Sequence, residues 1–407
     1  MTCSGNNLNL SPVHPFPARM APSIIWNELP KGDNPICVLD PMSGSGTALV
    51  ASRMRGHEAI GFDADPLAVL IARAWCADVD EPAARKKAEE VINRARSRYS
   101  SIRLGDAYPD DADEETREFV RYWFDEINRK ELAALSRSIS HVQDLALKDL
   151  LWCAFSRLII TKQSGASLAM DVSHSRPHRV YDNAPIKPFD KFIRSVNAVL
   201  NGSPFKEEVG AARARVNLGD ARRLPLEDSS IDLIITSPPY LNAIDYLRGH
   251  KLSLVWMGFS IQQIREIRSA SVGTESSKNT TCKKEFVDQT LKRMGEVESL
   301  PDRFRKMLKR YVLDMDKVLS EMHRVLKSEG RAILVVGDSS IRGTYVQNSK
   351  AIIHLGERNG FVLRSSRRRQ LPESRRYLPP PNRRASGAQL QSRMREEVII
   401  KFQKKTN

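Results

Sequence analysis

The apolar run Ile231 to Thr236 ends in Ser237-Pro238-Pro239-Tyr240, and this junction constrains the fold more than any other stretch of the chain. Such a run reads as a strand buried inside a parallel sheet, covered on both faces. Two consecutive prolines stop it, because neither can donate to a ladder. The four residues then fall at the carboxyl edge of the sheet, where open α/β folds carry their chemistry. The prolines stiffen the turn and leave its carbonyls able to accept hydrogen bonds, and an aromatic ring follows at once. Two readings are open: a rigid turn capped by a packed Tyr240, or a fixed pair of acceptors beside a flat ring, suited to holding a planar amine.

The surrounding sequence alternates strands and helices. A strand at 36–40 leads into Asp40-Pro41-Met42-Ser43-Gly44-Ser45-Gly46-Thr47, then a helix at 47–54 that ends at Gly56. A second strand runs from Glu58 to Asp63, and Asp65-Pro66 opens the next helix with an N-cap and a first-turn proline. Further strands are expected at Arg215–Asp220, Ile231–Thr236 and Gly330–Asp338, with helices at about 244–258 and 303–327. Phe361–Arg368 and Glu397–Phe402 would close the sheet as an antiparallel pair. The pattern predicts a doubly wound α/β sheet, mainly parallel. Residues 1–35 read as irregular and Pro-rich, and 269–289 as a polar loop. Residues 80–205 differ: charged, Arg-rich and helical, with apolar faces around 85–97, 116–137 and 141–161. They read as an inserted helical subdomain between segments 1–79 and 206–407.

The turn at 40–47 places glycines and a helix N-terminus against a ligand. A P-loop is excluded, since no Lys follows the last Gly, and a dinucleotide fingerprint fits poorly because position 49 is Leu49. An adenosyl cofactor carrying a positive sulfonium fits better, because the acid Asp40 lies beside the loop. Asp63, 19 residues beyond Gly44, would accept both ribose hydroxyls, and Asp220 would meet an adenine amine. Each acid alone is as readily a capping residue; three acids ending three successive predicted strands make a pattern.

The chain carries 64 Lys+Arg against 49 Asp+Glu, a net charge of +15, which favours a polyanionic partner over a merely solvated basic surface. From Phe361 to Asn407 there are 13 basic and 3 acidic residues, so this segment holds +10 of the total. Five scattered cysteines form no CxxC pair, which suggests neither a zinc site nor a disulfide framework. No apolar run is long enough to span a bilayer, and a reducing cytoplasmic setting is expected.

These motifs together resemble the amino-methyltransferases of DNA, which use S-adenosylmethionine to methylate the exocyclic amine of cytosine or adenine. The matching pieces are DPMSGSGT (40–47), GFDADP (61–66), GDA (219–221) and TSPPY (236–240). HPFPARMAP (14–22) is similar to the family's segment over the methionine end of the cofactor, where Arg19 and His14 would flank it; ordinary loop residues are the other reading. The resemblance covers about 1–75 and 210–407, and the helical insertion departs from the family's simplest layout. It implies a Rossmann-like methyltransferase sheet with a C-terminal antiparallel hairpin. It also implies that Asp40, Pro41, Gly44, Ser45, Gly46, Thr47, Asp63, Asp220 and Arg19 bind the cofactor. Ser237 and the carbonyl of Pro238 would accept from the target amine on the rigid Pro238-Pro239 turn, with Tyr240 stacked on a base flipped from the duplex. Methyl transfer would be direct, with no covalent enzyme intermediate.

Ser at 237 tilts the resemblance to cytosine N4, with adenine N6 as the alternative. Cytosine C5 chemistry is disfavoured because no Cys follows a Pro. Arg367, Arg368, Arg375, Arg376, Arg383 and Arg384 would contact DNA phosphates, and 80–205 is a candidate for target recognition. No metal is implied. Family habit adds a separately encoded restriction endonuclease as a partner. An RNA methyltransferase and a catalytically silent DNA-binding scaffold are the rival readings.

Overall fold

The computed structural model describes residues 8, 10–16, 19–32, 34–205, 212–239, 241, 245–273, 285–371 and 396–405. Seven strands form the central sheet: β1 (Cys37–Asp40), β2 (Glu58–Asp63), β3 (Ala214–Leu218), β4 (Ile231–Thr236), β5 (Leu326–Gly337), β6 (Phe361–Gln370) and β7 (Glu396–Lys404). Their order is β6-β7-β5-β4-β1-β2-β3. Pairings among β3, β2, β1, β4 and β5 are parallel, and β7 runs antiparallel to both β5 and β6. The chain order therefore reverses between β1 and β4, and the crevice of a doubly wound sheet opens at that point.

Successive residues of the central strands point to opposite faces, so their near-continuous apolarity needs two cores. Val38, Leu233, Ile235, Val335 and Ile399 pack on one side. Leu39, Ile234, Leu334, Val336 and Ile400 pack on the other. The first face is covered by α1 (Pro22–Glu28), α2 (Thr47–Met54), α3 (Pro66–Cys76) and the helices of the long insertion. The insertion comprises α4 (Glu81–Tyr99), α5 (Glu114–Trp123), α6 (Glu126–Ser140), α7 (Leu145–Ile159) and α8 (Pro188–Gly202). Its buried side chains join the sheet's own core without a break, and Trp75 of α3 donates its indole N–H to the carbonyl of Gly202 at 3.1 Å. After β4 come α9 (Leu247–Leu254) and α10 (Ile261–Ala270) on this same side. The opposite face is covered by α11 (Glu285–Arg293), α12 (Asp302–Val325) and α13 (Asn348–Arg358).

Strands β2 and β4, helix α2 and the Asp65-capped start of α3 lie where the sequence puts them. Other expectations are corrected. Residues 22–28 are helical, started by Pro22 at the first helical position. The face at 116–137 belongs to two helices, because Asp125 caps a new one through Asn128 N–H. The third strand stops at Leu218, so Asp220 lies beyond its end, in an isolated bridge with Arg223. The 269–289 stretch is helical to Ala270 and again from Glu285, and residues 274–284 lie outside the described residues. The one acid in the β4 run, Asp232, sits at the amino edge, accepting from Cys37 N–H at 2.9 Å and from Lys327 at 2.7 Å.

Helix α13 presses directly on β7, and a methyl group at Gly356 would overlap the buried ring of Phe402. Gly356→Ala is expected to lower unfolding free energy by about 1–3 kcal/mol, since overpacking a dense core costs that much. Chemical denaturation would show it, with ligand binding at the opposite end of the sheet unchanged.

Candidate functional site

The carboxyl ends of β1, β2 and β4 converge at the reversal point. Asp40 ends β1 and is buried, with 3% of its surface exposed. Its Oδ1 accepts from Met42 N–H at 3.2 Å and from the Thr236 hydroxyl at 2.6 Å. That second bond ties the last residue of β4 to the start of the Gly-rich turn. Asp40 has no cation beside it among the described residues, and burial pushes its carboxyl up to about 7, opposed by the Thr236 and Met42 bonds and aided by the nearby charge of Asp63.

The turn itself is fixed by backbone bonds. Ser43 N–H donates to the carbonyl of Phe62 at 2.9 Å, and Gly46 N–H to that of Ser43 at 2.8 Å. Gly44 and Gly46 both have positive φ, at 49° and 87°, a region that favours glycine. Gly46 is the N-cap of α2 and offers no side chain to the first-turn N–H groups, so no side-chain cap covers them. A Cβ on Gly46 would also meet Ala72 of α3. The Ser43 hydroxyl is buried without a partner among the described residues.

Asp63 ends β2 and holds the turn from the side. Its two oxygens accept from Gly44 N–H at 2.8 Å and from Asp65 N–H at 2.9 Å. Burial, and then the neighbouring Asp65 charge, push its carboxyl up to about 6. Each oxygen retains a second acceptor direction.

Ser237, just past β4, donates its hydroxyl proton to the carbonyl of Val335 at 3.0 Å. With the proton so committed, the oxygen can meet a further donor only as an acceptor. Pro238 is buried and Pro239 half-buried; Tyr240 lies outside the described residues.

An aromatic group lies over the turn, formed by Phe16 of the 14–22 segment and by Tyr246 and His250, which the sequence motifs do not include. Phe16 lies over Gly44, within 3.5 Å of where its Cβ would be. The ring of Phe16 packs on Tyr246 and His250, at centroid distances of 5.3 and 5.4 Å. His250, buried on α9, hydrogen-bonds through Nδ1 to Asp65 Oδ2. His14 is buried against the Ser156 hydroxyl at 3.0 Å. Burial, and then the charges of Arg157, His250 and Arg19, lower its pKa well below the ordinary range, so it is neutral at pH 7. Arg19 thus belongs to this corner. The only signals for Tyr246 and His250 were their helical spacing and a position shortly after the Pro-Pro turn.

The structure keeps other sequence candidates apart from this cluster or ties them up. Gly219 N–H bonds to the carbonyl of Asp63 at 3.0 Å, which keeps Asp220 near the edge. Both Asp220 oxygens, however, accept from Arg222, whose guanidinium also reaches Asp314 at 2.8 Å. Arg367 and Arg368 lie on the outer strand β6 beside Glu28 and Glu396, at 3.6 and 3.3 Å. Arg375, Arg376, Arg383 and Arg384 fall outside the described residues. Among the described residues no His, Cys, Asp or Glu group could hold a metal ion, and no helix is long and apolar enough to cross a membrane.

No family model matches the chain. Type II methyltransferase M.MvaI of Kocuria varians is 24% identical over 400 residues, spanning 91% of this chain and 85% of that protein. Type II methyltransferase M.AvaI of Nostoc sp. is 23% identical over 374 residues, covering 80% and 73%. M.BsoBI of Geobacillus stearothermophilus, also a Type II methyltransferase, is 22% identical over 272 residues, covering 60% and 51%. A SAM-dependent methyltransferase structure from Methanosarcina mazei aligns at 11% identity over 94% of this chain and 98% of that one, with a TM-score of 0.33, too loose an overlap to carry a functional conclusion.

Asp40 ionises with more difficulty in the folded chain than in the unfolded one, so the folded state binds more protons and loses stability as pH rises from about 4 toward about 7. Asp40→Asn keeps an acceptor for Thr236 and removes the charge. It is expected to stabilise the ligand-free protein by about 1–3 kcal/mol at pH 8, with little effect at pH 4. Thermal melts of both proteins at the two pH values measure the difference.

Proposed function

We propose that this chain, a homologue of the Type II DNA methyltransferases, transfers a methyl group from S-adenosylmethionine to the exocyclic N4 amine of cytosine in duplex DNA. One observation carries the reading: the Thr236–Asp40 bond brings the Ser-Pro-Pro turn and the Gly-rich turn to adjacent strand ends. S-adenosylmethionine supplies a methyl group made reactive by a positively charged sulfonium.

The residues present suit that group. Asp40 is a buried carboxylate with no cation beside it among the described residues, and half-buried Asp63 has only the nearby His250, so a positive ligand relieves a cost that the free protein bears. Asp63 would accept the ribose hydroxyls with its remaining acceptor directions. Pro41, Ser45 and Thr47 frame the turn, and Gly44, Gly46 and the Ser43 hydroxyl leave a close approach. Phe16 covers it, with Arg19 beside His14. Asp220 would serve the adenine amine from beside Arg222.

At the other turn Ser237 offers an acceptor, because its proton is held by Val335. With the Pro238 carbonyl, fixed by Pro239, it would draw the amine lone pair out of the ring system and fix the nucleophile. Such positioning and electrostatic fit account for most of the rate. The Ser237 hydroxyl is too weak a base to take the proton, which passes to water. Tyr240 is assigned by its motif to stack on the flipped base. Ser at 237 favours cytosine N4, and adenine N6 is the second reading on the same residues. Residues 80–205 would contribute to target recognition between the two parts of the methyltransferase domain, 1–79 and 206–407. Duplex DNA is the macromolecular substrate, and a separately encoded restriction endonuclease is the proposed functional partner.

Expression in a methylation-free host, followed by digestion of its DNA to nucleosides and mass spectrometry, tests the reading. N4-methylcytosine is expected; N6-methyladenine would move the target, and neither would sink the proposal. Ser237→Ala should slow methyl transfer by about two orders of magnitude, the scale of removing one oriented hydrogen-bonding group, with cofactor affinity nearly unchanged. Asp63→Ala should instead weaken cofactor binding measured by calorimetry. Cofactor affinity should fall as pH drops below about 7, where Asp40 takes up its proton. Asp40→Asn should bind weakly throughout and lose the part of that dependence near pH 7, leaving the part from Asp63 near pH 6.

A further inference from the structure

The insertion sends one short hairpin back to the catalytic side of the molecule. Ala169–Met170 pairs antiparallel with His178–Arg179, and the turn between them packs on α9. Gly249 of α9 faces the carbonyl of Val172 so closely that a Cβ there would collide with it. The Ser175 hydroxyl donates to the carbonyl of Tyr246 at 3.4 Å. Tyr246 lies nine residues beyond Ser237, so the hairpin leans on the segment that leaves the Ser-Pro-Pro turn.

A band of cations continues from this hairpin. Arg179 lies over the ring of Tyr122, 5.4 Å from its centroid, and Tyr122 is 52% exposed. Tyr122 touches Trp123, Trp123 touches Phe119, and Lys251 of α9 sits over Phe119 at 5.0 Å. Arg248 and Arg268 share Asp245, at 3.3 and 2.6 Å, and Arg265 pairs with Glu115. Three acids thus face the band, counting Asp171 beside His174 and His178. Arg176, Arg179 and Lys251 have no carboxylate within ion-pair distance among the described residues. Burial above all, and then Arg268, Arg248 and Arg265 against the opposing Asp245, hold Lys251 below the usual lysine range.

We propose that Arg176 and Arg179 of this hairpin, with Arg248, Lys251, Arg265 and Arg268 of α9 and α10, form a phosphate-binding strip that seats duplex DNA beside the Ser-Pro-Pro turn. The assignment rests on the methyltransferase reading above and adds the surface that holds the substrate. Exposed guanidinium groups match phosphate oxygens in geometry. Their partial pairing with Asp245 and Glu115 keeps them ordered in the free protein. Contacts of this kind position the duplex without reading its sequence.

The test uses the full chain and two synthetic duplexes, one bearing the methylated site and one random. Binding is followed by fluorescence anisotropy across a salt series, with CD melts as a check on folding. Replacing Arg176, Arg179, Arg265 and Arg268 by Ala should weaken binding to both duplexes equally, by tenfold or more at about 0.1 M salt. The slope of log K against log salt should shrink by about 0.9 for each phosphate that is no longer neutralised. Lys at the same four positions should restore most of the slope, and Lys86→Ala with Arg94→Ala on the exposed face of α4 should leave it unchanged. An unchanged slope in the Ala variant, or an equal loss in the α4 control, overturns the strip. Stronger binding to duplex RNA of the same length also overturns it. Failure of the wild-type chain to bind or methylate any duplex would instead overturn the parent reading.

Discussion

The hydrogen bond from Thr236 to Asp40 is the contact on which the site depends. It joins β4 and β1, the pair between which the strand order reverses. On one side it fixes where the Gly-rich turn leaves the sheet, and on the other where Ser237 begins. The carboxylate that accepts it is buried and has no cation beside it among the described residues, so burial works against its charged form. A positive group in the crevice would favour that charge, and this is the physical link between Asp40 and the proposed ligand.

Local chemistry made much of this legible in the sequence. The β4 run and its proline stop, the Asp65-Pro66 start of α3 and the Gly56 end of α2 are decided within a few residues, and each lies where short-range rules put it. The partnerships were not legible. Asp65 reads as an N-cap and is one, but its other oxygen holds His250, 185 residues away. Phe16 belongs to the 14–22 segment that the resemblance sets over the cofactor, but its packing on Tyr246 and His250, more than 200 residues away, could not be read from the sequence. Asp220 reads as the end of a strand at 215–220; β3 stops at Leu218, and Arg222 then folds back on the acid. Helix α1 was hidden by the prolines around it, although Pro22 occupies the one helical turn that tolerates it.

The insertion reads as an inserted helical subdomain because its composition changes at its borders, and its buried side chains join the core of the sheet. Helix α3, apolar on most of its surface, explains why: β-strands cover one side of it, and α7 and the end of α8 must cover the other. A segment so embedded cannot move far without exposing Trp75 and its neighbours. Its hairpin at 169–179 is therefore held against α9 by the same core that lies beneath the Gly-rich turn. On the proposed reading, the surfaces for substrate and cofactor would rest on that shared core.

Charge is sorted by depth around this edge. The acids Asp40 and Asp63 lie in the crevice, while Arg248, Arg265 and Arg268 stand in solvent at 46–61% exposure. Gln370 and Glu396, which flank the Arg-rich stretch outside the described residues, face each other at this same carboxyl end, next to Gly337 at the close of β5. A polyanion and a cationic small molecule thus meet opposite signs at different depths. The cations would attract the duplex over nanometre distances at low salt, whereas the buried acids act only on what enters the crevice. If the order were inverted, exposed acids would repel the DNA and buried cations the sulfonium, so the net charge of +15 is less informative than its separation from the acids at the crevice.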